Sequence, residues 1–257
     1  MFDYGQQLLA RLSSLIDLGR SQRNALHIFD QATQNAGTFL AFMPQSPVAS
    51  SFKSVAPSLI SNVGRSLMEN YLAIEYYLRQ RAPELATLES LIEDQFVDVQ
   101  RIQMVCELNP DNPEVDALKQ AVDARKANIR ACAAFSTLNP QIANNCENGF
   151  SDRTLTKAEI LQLRGIKGER FWSSYQHFST FLHSNAFAAD QLSAMGQETD
   201  QTIEFLRVMT MDIVGFYSLN VLALSYGSKI PQAEVPLNIQ DTLLFWQGYF
   251  KGERDVN

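Results

Sequence analysis

Apolar residues recur every three or four positions along most of the chain. Leu8, Leu12, Leu15 and Ile16, then Leu26, Phe29, Phe39 and Leu40, keep this spacing through residues 3–43. That is the period of a helix with one buried face. Gly19 is placed to split the run into two helices, and Pro44 and Pro47 mark a turn after it. From about Ser58 to Arg81, between Pro57 and Pro83, the stripe Ile60, Val63, Leu67, Tyr71, Ile74 and Leu78 predicts a further helix. A second stripe on that helix, Arg65, Glu69, Leu72 and Tyr76, mixes charge with apolar groups.

Residues 84–137 read as a long antiparallel helical hairpin. Leu85, Leu88, Ile92, Gln95, Val99, Ile102 and Cys106 alternate spacings of three and four. Val115, Leu118, Val122, Arg125, Ile129 and Cys132 do the same, which makes a coiled-coil-like seam. The run Asn109-Pro110-Asp111-Asn112-Pro113 is the turn. Residues 138–153, with Asn139-Pro140, Asn144-Asn145 and Asn148-Gly149, read as a loop. Thr156 and Glu159 then form a capping box, with Leu155 and Ile160 as its staple, and the short helix ends near Gly165. Helices follow at about Glu169 to Ser184 and Glu198 to Tyr226, and Asn238 is placed to cap a last one through Phe250.

Composition narrows the class. The 257 residues are 46% hydrophobic and 19% charged, which is enough apolar material for a core and too apolar for a disordered chain. Glycine (12) and proline (9) fall below average usage, against collagen-like and turn-dense all-β folds. The expected fold is all-α: a single domain over 1–257, a bundle of about seven to nine helices, with the 84–137 hairpin free to project.

The net charge of −7 is unevenly spread. Residues 1–83 carry seven Lys/Arg and five Asp/Glu, residues 84–170 ten and fourteen, and residues 171–250 two and seven. No basic stripe of the kind that displaces counterions from phosphates is present, so nucleic acid is not an expected partner. Cys106, Cys132 and Cys146 match no zinc or redox spacing, and Cys106 and Cys132, at apolar positions of helical patterns, read as small core residues. The start Met1-Phe2-Asp3-Tyr4-Gly5 has no basic segment followed by an apolar one, so a cytoplasmic location is expected. Val208 to Tyr226 is the most apolar stretch, but it contains Asp212 and Asn220 and reads as a buried helix, with no membrane partner.

Two groups of polar residues stand on otherwise apolar helices. Tyr175, Ser179 and His183 are spaced i, i+4, i+8 and share one helix face. Arg65 and Glu69 are spaced i, i+4 on a helix that should be covered on several sides, where an unpaired charge is costly. Each set can satisfy the other if the two helices pack together. The plain structural reading is a set of hydrogen bonds between helices. The functional reading is a pocket for a polar ligand, built from Arg65, Glu69, Tyr175, Ser179 and His183. His27 has no visible partner and reads as structural or exposed. No phosphate loop, dinucleotide fingerprint, zinc-protease helix or nucleophile elbow occurs. Only Glu69 and His183 are placed to share an ion, so neither a metal nor a cofactor is expected.

Arg65-Ser66-Leu67-Met68-Glu69 with Glu75-Tyr76-Tyr77-Leu78, followed far downstream by Tyr175-Gln176-His177-Phe178-Ser179-Thr180-Phe181-Leu182-His183, resembles a bacterial all-helical family of unknown function. In that family an Arg-x-x-x-Glu helix precedes a Tyr-x-x-x-Ser-x-x-x-His helix. The resemblance implies a helical fold and no particular activity. More remotely, Arg170 and His177, with six residues between them, are similar to the Arg and His of the HEPN group of helical ribonucleases. That likeness implies catalysis by His177, with Arg170 on the phosphate and a homodimer pairing two such motifs. His183 is a third catalytic candidate.

The leading expectation is therefore a binding or interaction module with a polar pocket, taking a small polar ligand or a protein partner. One alternative is a HEPN-like metal-independent endoribonuclease of stress or phage defence. Another is a structural partner protein that acts through the hairpin.

Overall fold

A computed structural model describes residues 1–15, 18–41, 57–109, 112–182, 200–227 and 235–254. The described residues form ten α-helices and one 3-10 turn, and no strand. The helices are α1 (Phe2–Ser13), α2 (Arg20–Ala41), α3 (Pro57–Leu78), α4 (Pro83–Leu108) and α5 (Glu114–Ala131), then α6 (Pro140–Glu147), α7 (Lys157–Gln162), α8 (Gly168–Leu182), α9 (Asp200–Gly227) and α10 (Leu237–Lys251). The all-α class expected from periodicity is the observed one, with more helices than the seven to nine expected. The chain gathers into two compact units, Met1–Arg79 with Ile160–Asn257, and Gln80–Glu159.

The first unit is organised around α3, which packs against α2, α8 and α9. Every residue from Asn70 to Tyr77 is buried. A helix enclosed on all sides needs no polar face, which is why two stripes rather than one could be drawn along it. Its partner α9 is buried from Gly215 to Ser225. By length and composition Arg207–Gly227 could cross a membrane, yet 78% of it is buried inside the protein. Its Asn220 side chain donates to the carbonyls of Leu67, at 2.9 Å, and Phe216, at 2.7 Å, which offsets the cost of a buried amide.

The second unit holds α4, α5, the 3-10 turn Ala133–Thr137 and α6. Leu88, Ile92, Ile129 and Cys146 are its buried cluster. Ile129 meets the start of α4, while Arg125 bonds the Asp94 carbonyl and Asp98 further along, so α4 and α5 run antiparallel. The second arm ends at Ala131, earlier than residue 137, and the 3-10 turn replaces its last turn.

Two local expectations need correction. Residues 138–153 are not all loop, because α6 occupies Pro140–Glu147. Asn139 accepts a hydrogen bond from the Gln141 N–H at 2.9 Å and Pro140 sits in the first turn, so the Asn-Pro pair starts a helix instead of a turn. The last helix begins at Leu237, with Pro236 at its N-cap, so Asn238 lies inside the first turn and caps nothing. The capping box at Thr156 is as expected: its N–H donates to Glu159 at 2.7 Å, and the Glu159 N–H donates to the Thr156 hydroxyl at 3.2 Å.

Candidate functional site

Helices α3 and α8 pack closely because Gly64 has no side chain. An added Cβ there would stand 2.3 Å from the Phe178 ring, closer than any real contact. This contact places the residues beside each partner face to face: Arg65 next to Gly64, and on α8 Ser179 next to Phe178 with Tyr175 one turn before Ser179. The Arg65 guanidinium donates to the Ser179 and Tyr175 hydroxyls and lies over the Tyr175 ring, 3.8 Å from its centre. Tyr175 in turn donates to Glu69 at 3.2 Å, and the Arg65 to Glu69 ion pair spans 3.7 Å. Ser179 donates to the Tyr175 carbonyl at 2.6 Å.

Four of the five pocket candidates thus meet, and their donors and acceptors run in one direction, from arginine through phenol to carboxylate. The fifth, His183, lies outside the described residues. The arginine and glutamate side chains remain 28% and 32% exposed, so water screens the pair. This set therefore already forms a hydrogen-bonded clasp between two helices.

The HEPN-like candidates sit elsewhere on α8. Arg170 donates to the carbonyls of Tyr249 and Arg254, each at 2.7 Å, and its guanidinium covers the Tyr249 ring at 4.5 Å. It closes the end of α10, where orphan carbonyls need donors. His177 is exposed on the same helix. Its neighbour Asp212 on α9 is buried, and burial pushes that carboxyl up to about 6, against the opposing pull of the Ser174 hydrogen bond and the His177 charge.

A second ion pair on α3 escaped the sequence reading. Glu75 is 3% exposed and accepts from Arg164 Nε at 2.8 Å. The buried Tyr71 hydroxyl also hydrogen-bonds it. Burial raises the Glu75 pKa, while the arginine's charge and hydrogen bond pull it down. The signal was available: Glu75 interrupts an apolar run just as Arg65 and Glu69 do.

A wide opening lies between α1 and α2. It encloses about 850 Å³, within the range of ligand pockets. Phe2, Leu9, Leu18 and Leu26 give it apolar walls, and Arg23, His27 and Asp30 contribute charge and polarity. Thr33 also lines it, and behind it the Thr33 hydroxyl lies 3.4 Å from that of the buried Tyr217. Burial pushes the Tyr217 phenol up to about 12. Gly5 makes room for that phenol: a Cβ there would stand 2.0 Å from its oxygen. His27, read from sequence as structural or exposed, lines this cleft. Periodicity cannot reveal such a site, because an opening depends on how far apart two amphipathic faces stand.

Among the described residues, no group of three His, Cys, Asp or Glu side chains could hold a metal ion. Compared with protein families, curated proteins and solved structures, the chain matches none.

Proposed function

We propose that this chain is a binding module and that its ligand occupies the cleft between α1 and α2. The observation that carries the reading is the cleft itself: about 850 Å³, with mostly apolar walls and a few polar groups. That is the usual make-up of a small-molecule site. The Arg65, Glu69, Tyr175 and Ser179 set is then a clasp that fixes α8 on α3. Its groups satisfy one another, so a ligand would have to break several hydrogen bonds to enter. Nothing favours the ribonuclease reading over this one, since the Arg170 guanidinium bonds two carbonyls of its own chain.

The test is titration with Nile red, a neutral dye that brightens in apolar surroundings. Ala10 lines the cleft and is exposed, so Ala10→Trp fills the opening without entering the core. Wild type should brighten the dye saturably. Ala10→Trp should lose that response while melting at the same temperature. Equal dye binding by the two proteins, or none by wild type, would overturn the proposal.

A further inference from the structure

The cleft has two unlike ends. Helices α1 and α2 are joined by a short connection, so Ser13, Leu18 and Arg23 lie at the connected end, and Phe2 and Gly37 at the other. Arg23 is anchored there: one guanidinium nitrogen donates to the Leu18 carbonyl at 2.7 Å. A guanidinium carries five N–H donors, so this anchor fixes the group's direction and leaves capacity for a ligand. Asp30 stands two helical turns further along the same face of α2, and Leu9 and Leu26 lie between the ends. A cation at one end, then leucines flanked by His27, and a carboxylate further along make an oriented site.

Resting on the cleft reading above, we infer that the ligand is a free single-chain amphiphile with a carboxylate head. The head pairs with Arg23, and the chain runs along Leu26 and Leu9 toward Phe2. A planar guanidinium matches a carboxylate with two parallel hydrogen bonds. Asp30 repels the same head from positions beyond the leucines, so the charge pattern sets the direction of binding. A cationic head would meet Arg23 with the wrong sign, and a neutral alcohol would lack the charge assistance.

Three ligands of equal chain length separate these outcomes: decanoate, decanol and decyltrimethylammonium, each titrated calorimetrically. Decanoate should bind about tenfold tighter than decanol, the size of one charge-assisted pair at a half-open site, and the cationic compound should bind most weakly. Arg23→Gln should bring decanoate down to the level of decanol, and Asp30→Asn should tighten decanoate. Both residues are away from the buried core, and unchanged melting of each variant checks the fold. If decanol binds and decanoate binds no tighter, the head-group inference fails while the cleft reading stands. If none of the three binds, the cleft reading fails with it. If the protein instead sediments with phosphatidylglycerol vesicles and ignores free decanoate, the anion belongs to a membrane surface, and the free-ligand inference is overturned.

Discussion

Helix α3 carries two arginine–glutamate pairs that differ in almost every physical respect. Arg65 and Glu69 are one turn apart on the helix, about a third exposed, and separated by 3.7 Å. Glu75 and Arg164 are 89 residues apart in sequence, meet at 2.8 Å, and Glu75 is almost wholly buried. The first pair is screened by water and shares its hydrogen bonds with Tyr175 and Ser179. The second has lost its water on the carboxylate side only, so Glu75 depends on Arg164, while the arginine stays about a third exposed. The comparison teaches that residue type and spacing identify a pair, whereas burial decides what the pair contributes.

The sharpest way to test this contrast is to remove one partner of the buried pair. Arg164→Met leaves Glu75 facing Tyr71 in an apolar interior. The expected loss is about 3–5 kcal/mol, the cost of stranding a buried charge, read from urea unfolding. Adding Glu75→Gln should restore most of it, because an amide keeps a bond to the Tyr71 hydroxyl without a charge to bury. A loss under about 1 kcal/mol in the single variant would mean that both pairs behave as surface pairs, and the distinction would collapse.

Asp212 supplies an intermediate case. It is buried like Glu75, but its partners are the Ser174 hydroxyl and the His177 imidazole. Its folded pKa, about 6, lies above the ordinary 3.8. The folded protein therefore binds this proton more tightly than the unfolded chain. Stability from this group is complete below about pH 4 and is lost as pH rises through about 6. A carboxyl raised that far makes the folded state weaker by roughly 3 kcal/mol once it is ionised. Asp212→Asn should match wild type near pH 4 and exceed it by up to that amount at about pH 7.5, in denaturation midpoints compared across pH. A constant difference at all pH values would show that the carboxyl's charge is not what burial opposes.

The sequence made the helical fold legible because burial of one face repeats every three to four residues, and Pro57, Pro83 and Pro113 stand at helix starts in the structure as in the pattern. It made α6 illegible because Asn-Pro signals a turn and a helix start equally well, and only the Asn139 cap to Gln141 decides between them. The Arg65 clasp was legible for an energetic reason: charges in an apolar stripe must find partners, and the other anomalous helix offered them. Glu75 obeyed the same logic, but its partner Arg164 is 89 residues away, beyond the reach of helical spacing. The cleft left no mark on either pattern, since Leu9 and Leu26 look like core positions until α1 and α2 are seen to stand apart.

The smallest expected effect concerns the exposed member of the comparison. Tyr175→Phe deletes one hydroxyl, which accepts from Arg65 and donates to Glu69. The ring stays, so the stacking of Arg65 over it is kept. With the phenol gone, the arginine and carboxylate still reach water and each other, so neither is stranded. The expected loss is about 1 kcal/mol, the net worth of an ordinary hydrogen bond. A double-mutant cycle with Glu69→Gln separates this from packing. If the three groups act as one clasp, the two losses should be less than additive, because each variant already breaks the bond they share. Full additivity would mean that Tyr175 and Glu69 contribute independently, and that α8 is held on α3 by the Phe178 and Gly64 contact and the Arg65 to Ser179 bond. The three groups would then be neighbours that share a helix interface rather than one cooperative clasp.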